Sequence, residues 1–196
     1  MKKEKIAFVI IASAVALGGA GCGSKEPVPV MPVQNGCVVE GKYAPEWVCG
    51  LPKSLGPFVA AGKASANALG ENYALREARA DAREHLLVKL EDALYAQIAA
   101  VLQAQKVSEA SRLKIAKKAS RNALGTSKML RTWTSSSGAR FVLESVENDA
   151  VIDAAVGAMK AFVEANGYDP RLSRELEANL RTVYASGKEP AVAFTR

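Results

Sequence analysis

The residues that could carry catalysis are few and stand apart from one another. His85 is the only histidine, and nothing in the sequence points to the serine and carboxylate partners that a triad would need. Glu91 and Asp92 are adjacent, which places them about 100° apart on a helix and not on a shared face. The glycines near the first predicted strand form no phosphate-binding motif: Gly56, Gly62 and Gly70. We therefore expect no catalytic residues, no cofactor and no metal ion, and we do not expect an enzyme.

The chain contains three cysteines, Cys22, Cys37 and Cys49, which are too few for a disulfide scaffold. Cys37 and Cys49 are twelve residues apart, and in an oxidising compartment such a pair favours a disulfide. Closing a loop of about 13 residues would stabilise the fold by roughly 3 kcal/mol. Metal binding is the alternative, but no cluster of His, Cys or acidic residues completes a ligand set around the pair.

Basic residues are concentrated in one part of the chain. The formal net charge is +6, and residues 106–131 carry a net +7, with Glu109 as their one acidic residue. Four of the cations fall in the second predicted helix and form a candidate partner patch: Lys114, Lys117, Lys118 and Arg121. Such a patch suits anionic lipid headgroups, a polyanionic wall component or an acidic protein partner. The alternative is a solvated helix face, because cations near a helix end complement its dipole.

Residues 1–21 have the three regions of a secretion signal. Lys2, Lys3 and Lys5 form a positive start, residues 6–17 are apolar apart from one serine, and small residues follow. A transmembrane anchor is the alternative, but the uncharged stretch is only seventeen residues long and ends in small residues. Export makes nucleic acid an unsuitable partner for this basic chain.

Cys22 ends the signal region within Gly19-Ala20-Gly21-Cys22, which resembles the lipobox of bacterial lipoproteins. That motif implies that Cys22 carries a diacylglycerol and a further acyl chain such as palmitate, and two or three chains anchor a protein stably. The residues after Cys22 lack the aspartate that resembles an inner-membrane retention signal. We therefore expect an anchor in the outer membrane with the domain on the periplasmic side. The alternative is a soluble exported protein cut at Ala20 or Gly21.

The remaining sequence divides into a tether and one domain. Residues 22–45 contain four prolines among small and apolar residues, which predicts an extended tether. Within 46–187 the apolar spacing predicts a strand at 58–61, helices at 72–103 and 108–124, strands at 126–134 and 139–146, and two helices ending near 167 and 187. We expect Ser108 to cap the second helix and Asn148 or Asp149 to cap the third. Residues 188–196 form a tail.

This order, β-α-α-β-β-α-α, predicts an α+β domain whose small, mostly antiparallel sheet is covered by helices on one face. Hydrophobic residues make up 49% and charged residues 23% of the 196, which excludes disordered, fibrous and multi-span membrane classes. Trp133 lies near the end of the second strand and is interpreted as a packing residue, although a tryptophan at a strand end can also anchor an interface.

Three stretches, taken in order, resemble the LPP-twenty family of outer-membrane lipoproteins. They are Tyr43-Ala44-Pro45-Glu46-Trp47-Val48, the strand and helix from Phe58 to Leu90, and a hairpin with Ser127-Lys128-Met129-Leu130, Trp133 and Phe141-Val142-Leu143. The resemblance covers about residues 43–147 and the lipobox, and Glu144 stands where the family pattern is more apolar. It implies a small outer-membrane lipoprotein without known catalytic residues, some of whose relatives build a disk or ring around the flagellar motor.

These patterns lead to one expectation and two alternatives. We expect an outer-membrane-anchored structural or scaffolding component of the cell envelope that associates with further copies or with an envelope protein, for example in a flagellar motor disk or ring. The unpaired edge of a small sheet offers a route to such association. The first alternative is a binding module that holds an anionic envelope component or an acidic partner through the basic helix. A periplasmic enzyme is the second, because the lack of a motif does not exclude a site.

Overall fold

The protein, described here by a computed structural model over residues 36–185, follows the predicted order of strands and helices with a short hairpin and a helical turn in front. The α+β prediction is confirmed. The elements are β1 (Gly36–Val39), β2 (Lys42–Pro45), α1 (Glu46–Cys49), β3 (Val59–Ala64), α2 (Glu71–Leu102), α3 (Glu109–Leu124), β4 (Lys128–Thr134), β5 (Arg140–Ser145), α4 (Asn148–Asn166) and α5 (Arg171–Ala185). The predicted signal, Cys22, the first part of the tether and the tail lie outside the described residues.

The main sheet has the strand order β3-β5-β4, and both pairings are antiparallel. Successive residues of β5 alternate between its two faces, as the pleat of a strand requires. Val142 packs with α2 on one face, whereas Phe141 and Leu143 pack with Trp47 on the other. The helical side of the sheet is therefore covered by α2, and α3, α4 and α5 pack with α2 and with one another. The amino-terminal hairpin with α1 covers part of the other face.

The first strand is longer than the predicted 58–61, because Gly62 does not end it. β3 continues through Gly62 to Ala64, and Gly62 lies against α2. A Cβ atom at Gly62 would lie 2.1 Å from the backbone nitrogen of Ala82 and 2.3 Å from the carbonyl oxygen of Ala78. Glycine at this position thus allows the helix backbone to approach the strand directly.

The helices bury one apolar face each, and most of their ends carry the expected signals. Leu86, Leu90 and Leu94 of α2 are fully buried in the main core. The Ser108 hydroxyl accepts a hydrogen bond from the Ser111 backbone nitrogen at 3.2 Å, so the predicted cap of α3 is confirmed.

The prediction of Asn148 or Asp149 as the cap of α4 is wrong, because that helix already begins at Asn148. Glu147 precedes the first turn and caps it without a side-chain hydrogen bond. The carboxylate of Glu147 instead accepts a hydrogen bond from Lys128 Nζ at 2.7 Å. This bond lowers the pKa of Glu147 below its usual value.

Residues 36–45 belong to the folded domain, whereas the sequence assigns them to the tether. They form the hairpin β1–β2, whose two turn residues, Glu40 and Gly41, have positive φ angles of 53° and 77°. Two left-handed residues give the backbone twist that a two-residue hairpin turn needs. Cys37 and Cys49 are joined by a disulfide, as their spacing favours, and this bond ties β1 to the end of α1.

Candidate functional site

The one histidine of the sequence bonds to the backbone of β3. His85 lies on α2 with its side chain exposed, and its Nδ1 is 3.0 Å from the carbonyl oxygen of Ala61. Its Nε2 lies 3.9 Å from Asp81 Oδ1, one helical turn earlier. No serine hydroxyl bonds to the His85 ring among residues 36–185, so the geometry of this histidine is that of a backbone-bonding side chain.

His85 is the middle member of a row on α2 that closes the outer edge of β3. Asp81 Oδ2 accepts a hydrogen bond from the backbone nitrogen of Lys63 at 2.8 Å, and Lys89 Nζ donates to the carbonyl oxygen of Val59 at 2.9 Å. The three side chains are four residues apart and therefore share one helix face. They bond to alternate residues of β3, which are those whose backbone groups point away from β5. We call Asp81, His85 and Lys89 the sealing row.

The other sequence candidates do not come together. Glu91 and Asp92 remain neighbours on α2, with Glu91 half-buried and Asp92 exposed. Gly56 and Gly70 lie at turns with positive φ angles of 89° and 92°. Within the described part of the chain, no group of three or more His, Cys, Asp or Glu side chains could hold a metal ion.

An ion pair whose carboxylate is fully buried is the main feature that the sequence candidates missed. Glu144 has no exposed surface, and its carboxylate accepts three hydrogen bonds from Arg79. Nη2 donates to Oε1 at 3.0 Å, and Nε donates to Oε2 at 3.2 Å and to Oε1 at 3.3 Å. Ser127 Oγ donates to Oε1 at 2.8 Å, and Arg83 Nη1 lies 3.5 Å from the same oxygen. Hydrogen bonding to Glu144 raises the pKa of Arg79. The carboxylate thus fastens β5 to α2 and to the residue before β4.

A second carboxylate holds the amino-terminal hairpin to the turn between β4 and β5. Glu40 accepts hydrogen bonds from the Ser137 backbone nitrogen at 2.9 Å and from the Ser137 hydroxyl at 2.8 Å. These bonds lower the pKa of Glu40 from 4.5 to about 2. Ser136 Oγ adds a bond of 3.2 Å to the Glu40 carbonyl oxygen. The sequence signal for this contact is weak, because the partners are almost a hundred residues apart.

The structure brings the predicted basic patch together on the outer face of α3. Lys114, Lys117, Lys118 and Arg121 are all exposed, and no carboxylate among residues 36–185 pairs with any of them. The opposite face of the helix is buried in the main core: Ile115, Ala116, Ala119 and Ala123. We call the four exposed cations the basic face. A groove of about 290 Å³ runs beside the basic face, between α3 and α4.

Trp133 contributes to a cleft on the face of the sheet that the long helices do not cover. Its ring lies 5.4 Å from the Phe141 ring, centroid to centroid, which bears out its interpretation as a packing residue. One side of Trp133, with Trp47, Tyr43 and Arg131, also lines an open cleft of about 560 Å³. We call this space the tryptophan cleft. It adjoins β4, which is the edge strand opposite β3.

Comparison with family models and with curated proteins adds no relative to these observations. No family model matches the chain, and no curated protein matches it. No helix among residues 36–185 is long and apolar enough to cross a membrane.

Proposed function

We propose that this protein is a lipid-anchored structural component of the outer membrane, which holds a folded domain within an envelope assembly such as a flagellar motor disk or ring. The observation that carries the proposal is Cys22, a cysteine placed directly after a charged, an apolar and a small-residue region. The likeness to LPP-twenty lipoproteins supports the same assignment. Acylation of that cysteine would anchor the chain with two or three hydrocarbon chains.

The scaffolding part of the proposal is supported by how the polar side chains are used. His85, Glu144 and Glu40 each bond to the protein itself and fasten one element to another. Two exposed surfaces that these bonds leave available to a partner are the basic face and the β4 edge. A domain with such surfaces is suited to holding other molecules in place.

Labelling with palmitate tests the anchor. The full chain is produced in a bacterium with two membranes that is fed a palmitate analogue, alongside the variants Cys22→Ser and Cys37→Ser. We expect label in the outer-membrane fraction for the wild type and for Cys37→Ser, and none for Cys22→Ser. Unlabelled wild-type protein in the soluble periplasmic fraction would contradict the proposal and favour cleavage at Ala20 or Gly21.

A binding module is the second candidate function, and the basic face is the observation that favours it. Four exposed cations without a carboxylate partner among the described residues attract an anionic envelope component or an acidic partner. Reversing Lys114, Lys117, Lys118 and Arg121 to glutamate should abolish binding of the detergent-extracted chain to a soluble acidic polymer such as polyglutamate. Binding that persists in this variant, or that does not weaken between 0.05 and about 0.5 M salt, would contradict this function.

A further inference from the structure

The two edge strands of the main sheet, β3 and β4, differ in whether side chains form hydrogen bonds with their outward-facing backbone groups. The β3 edge is closed by the sealing row, which bonds to Val59, Ala61 and Lys63. The β4 edge has no such cover, since no side chain of residues 36–185 bonds to the backbone of residues 129–133. An edge strand with free N–H and C=O groups is a template for a further strand. A partner strand can therefore extend this sheet only beyond β4.

The side chains of β4 define what such a strand would meet on the cleft side. The register places Lys128, Arg131 and Trp133 opposite Ser145, Leu143 and Phe141 of β5. These three β4 residues therefore share the face of the tryptophan cleft. Leu130 forms a bulge between the first two.

On the cleft side, Arg131 offers one unpaired positive charge next to the aromatic surface of Trp133. Lys128 is already paired with Glu147, whereas Arg131 is exposed and forms no ion pair with the described carboxylates. Among residues 36–185, Glu46 is the one carboxylate that lines the cleft. Met129 and Leu130 are 42% and 49% exposed, so the edge also presents apolar surface.

Charge decides between the two occupants that could add a strand here. A second copy paired through its own β4 would bring another Lys128 and Arg131 to the same edge, and like charges across a strand pair are destabilising. An acidic segment meets the opposite sign. Strand addition takes its affinity from main-chain hydrogen bonds and its specificity from alternate side chains.

We propose that the β4 edge binds an extended segment of an envelope protein in which a carboxylate faces Arg131 and, two residues along, an apolar side chain enters the tryptophan cleft beside Trp133. This proposal specifies the chemistry of the partner that the scaffold would hold, and it rests on the proposed scaffolding function. Peptide binding can fail while palmitate labelling succeeds, so the two claims are separable. In an extended segment successive side chains point to opposite faces, so every second side chain faces the cleft and the others point away from it. Recognition therefore depends on the alternate residues that face the cleft.

A charge-swap experiment tests the proposal on the full chain extracted in detergent. The probe is a fluorescent peptide with the pattern Ile-Thr-Glu-Val-Glu, and its partner probe has lysine in place of both glutamates. We expect the glutamate peptide to bind the wild type and the lysine peptide not to bind. In Arg131→Glu, affinity for the glutamate peptide should fall about tenfold and the lysine peptide should bind instead.

The matched control is Arg121→Glu, which reverses a cation on the basic face and should leave both affinities unchanged. On addition of the glutamate peptide, amide hydrogen exchange should slow at residues 129–133 and not at β3. Loss of binding in Arg121→Glu but not in Arg131→Glu would overturn the proposal and place the peptide on α3. A concentration-dependent dimer that is abolished by Leu130→Lys would also overturn it, because a second copy would then occupy the edge.

Discussion

Removing Arg79 should destabilise the domain more than removing Arg79 and its buried partner together. Arg79→Ala leaves the Glu144 carboxylate, which is 0% exposed, with Ser127 and the more distant Arg83. A buried charge that loses its partner cannot recover its hydration, so the folded state carries the full penalty. The double variant Arg79→Ala with Glu144→Leu replaces the carboxylate by an apolar side chain of similar size and removes that penalty.

The structure sets the size of the effect. Breaking a buried ion pair costs about 3–5 kcal/mol when the remaining charge stays buried. Because Arg83 remains 3.5 Å from Glu144, we take the lower end, about 3 kcal/mol, for Arg79→Ala. In the double variant only Arg83 is left without the carboxylate, and its side chain is 32% exposed and can regain water. We therefore expect the double variant to exceed Arg79→Ala in stability by at least about 1 kcal/mol.

Urea and thermal unfolding of the disulfide-bonded chain, followed by circular dichroism, measure these differences. For a domain of this size about 3 kcal/mol corresponds to a fall in Tm of roughly 6–12 °C. Arg76→Ala is the matched control, since Arg76 is exposed on the same helix and forms no ion pair with the described carboxylates. A stability of Arg79→Ala within about 0.5 kcal/mol of wild type, or no recovery in the double variant, would refute the reasoning.

Three further predictions concern the packing of the sheet and the hairpin. Gly62→Ala should cost about 3 kcal/mol, because its Cβ would lie 2.1 Å from a backbone nitrogen of α2. Gly157 lies on the exposed side of α4, and a Cβ there has nothing within 4 Å, so Gly157→Ala should raise the unfolding free energy by up to about 1 kcal/mol. Urea unfolding midpoints measure both variants, and a midpoint for Gly62→Ala at or above that of Gly157→Ala would contradict the close approach of α2 to β3. Replacing Cys37 and Cys49 by serine should lower the unfolding free energy by about 3 kcal/mol, and reductant should then have no further effect. The stabilisation by Glu40 is present above its unfolded pKa, 4.5, and is lost as the pH falls towards about 2, so the difference between wild type and Glu40→Gln should vanish over that range. A difference that persists at pH 2 would be inconsistent with the Ser137 contacts.

The long helices could be predicted from the sequence because their signals are local. The three- and four-residue spacing of Leu86, Leu90 and Leu94 predicts the buried face of α2 without any knowledge of its neighbours. Ser108 and Gly167 predict where α3 begins and α4 ends, since both act within one turn of the chain. Such features can be predicted from the sequence because each residue interacts with neighbours in its own helix.

The strands and the hairpin were harder to predict, because their glycine and proline residues are compatible with more than one local structure. Gly62 is a strand terminator in a local view, yet in the fold it is the point where α2 touches β3. Pro45 and the preceding prolines favour an extended tether, and the Glu40-Gly41 turn lacks the Asn-Gly or Asp-Gly signal of a hairpin.

The polar contacts could not be predicted from the sequence alone. Glu144 and Arg79 are 65 residues apart, and the pairing depends on how β5 lies on α2. The four-residue spacing of Asp81, His85 and Lys89 places them on one helix face, but they bond to backbone atoms of β3. Because backbone groups do not depend on residue type, the sequence of the strand does not indicate these bonds. This is why the sequence indicates no partner for His85 and does not predict its role at the sheet edge.

The mass of the native complex tests the central claim, that this chain is an acylated component of an envelope assembly. The wild-type protein is extracted from outer membranes in mild detergent, and light scattering after gel filtration gives the protein mass of the particle that contains it. The account predicts a discrete particle heavier than one chain, which is lost from the membrane fraction in Cys22→Ser. A particle of one chain at every concentration, with palmitate still attached, would contradict the scaffolding role.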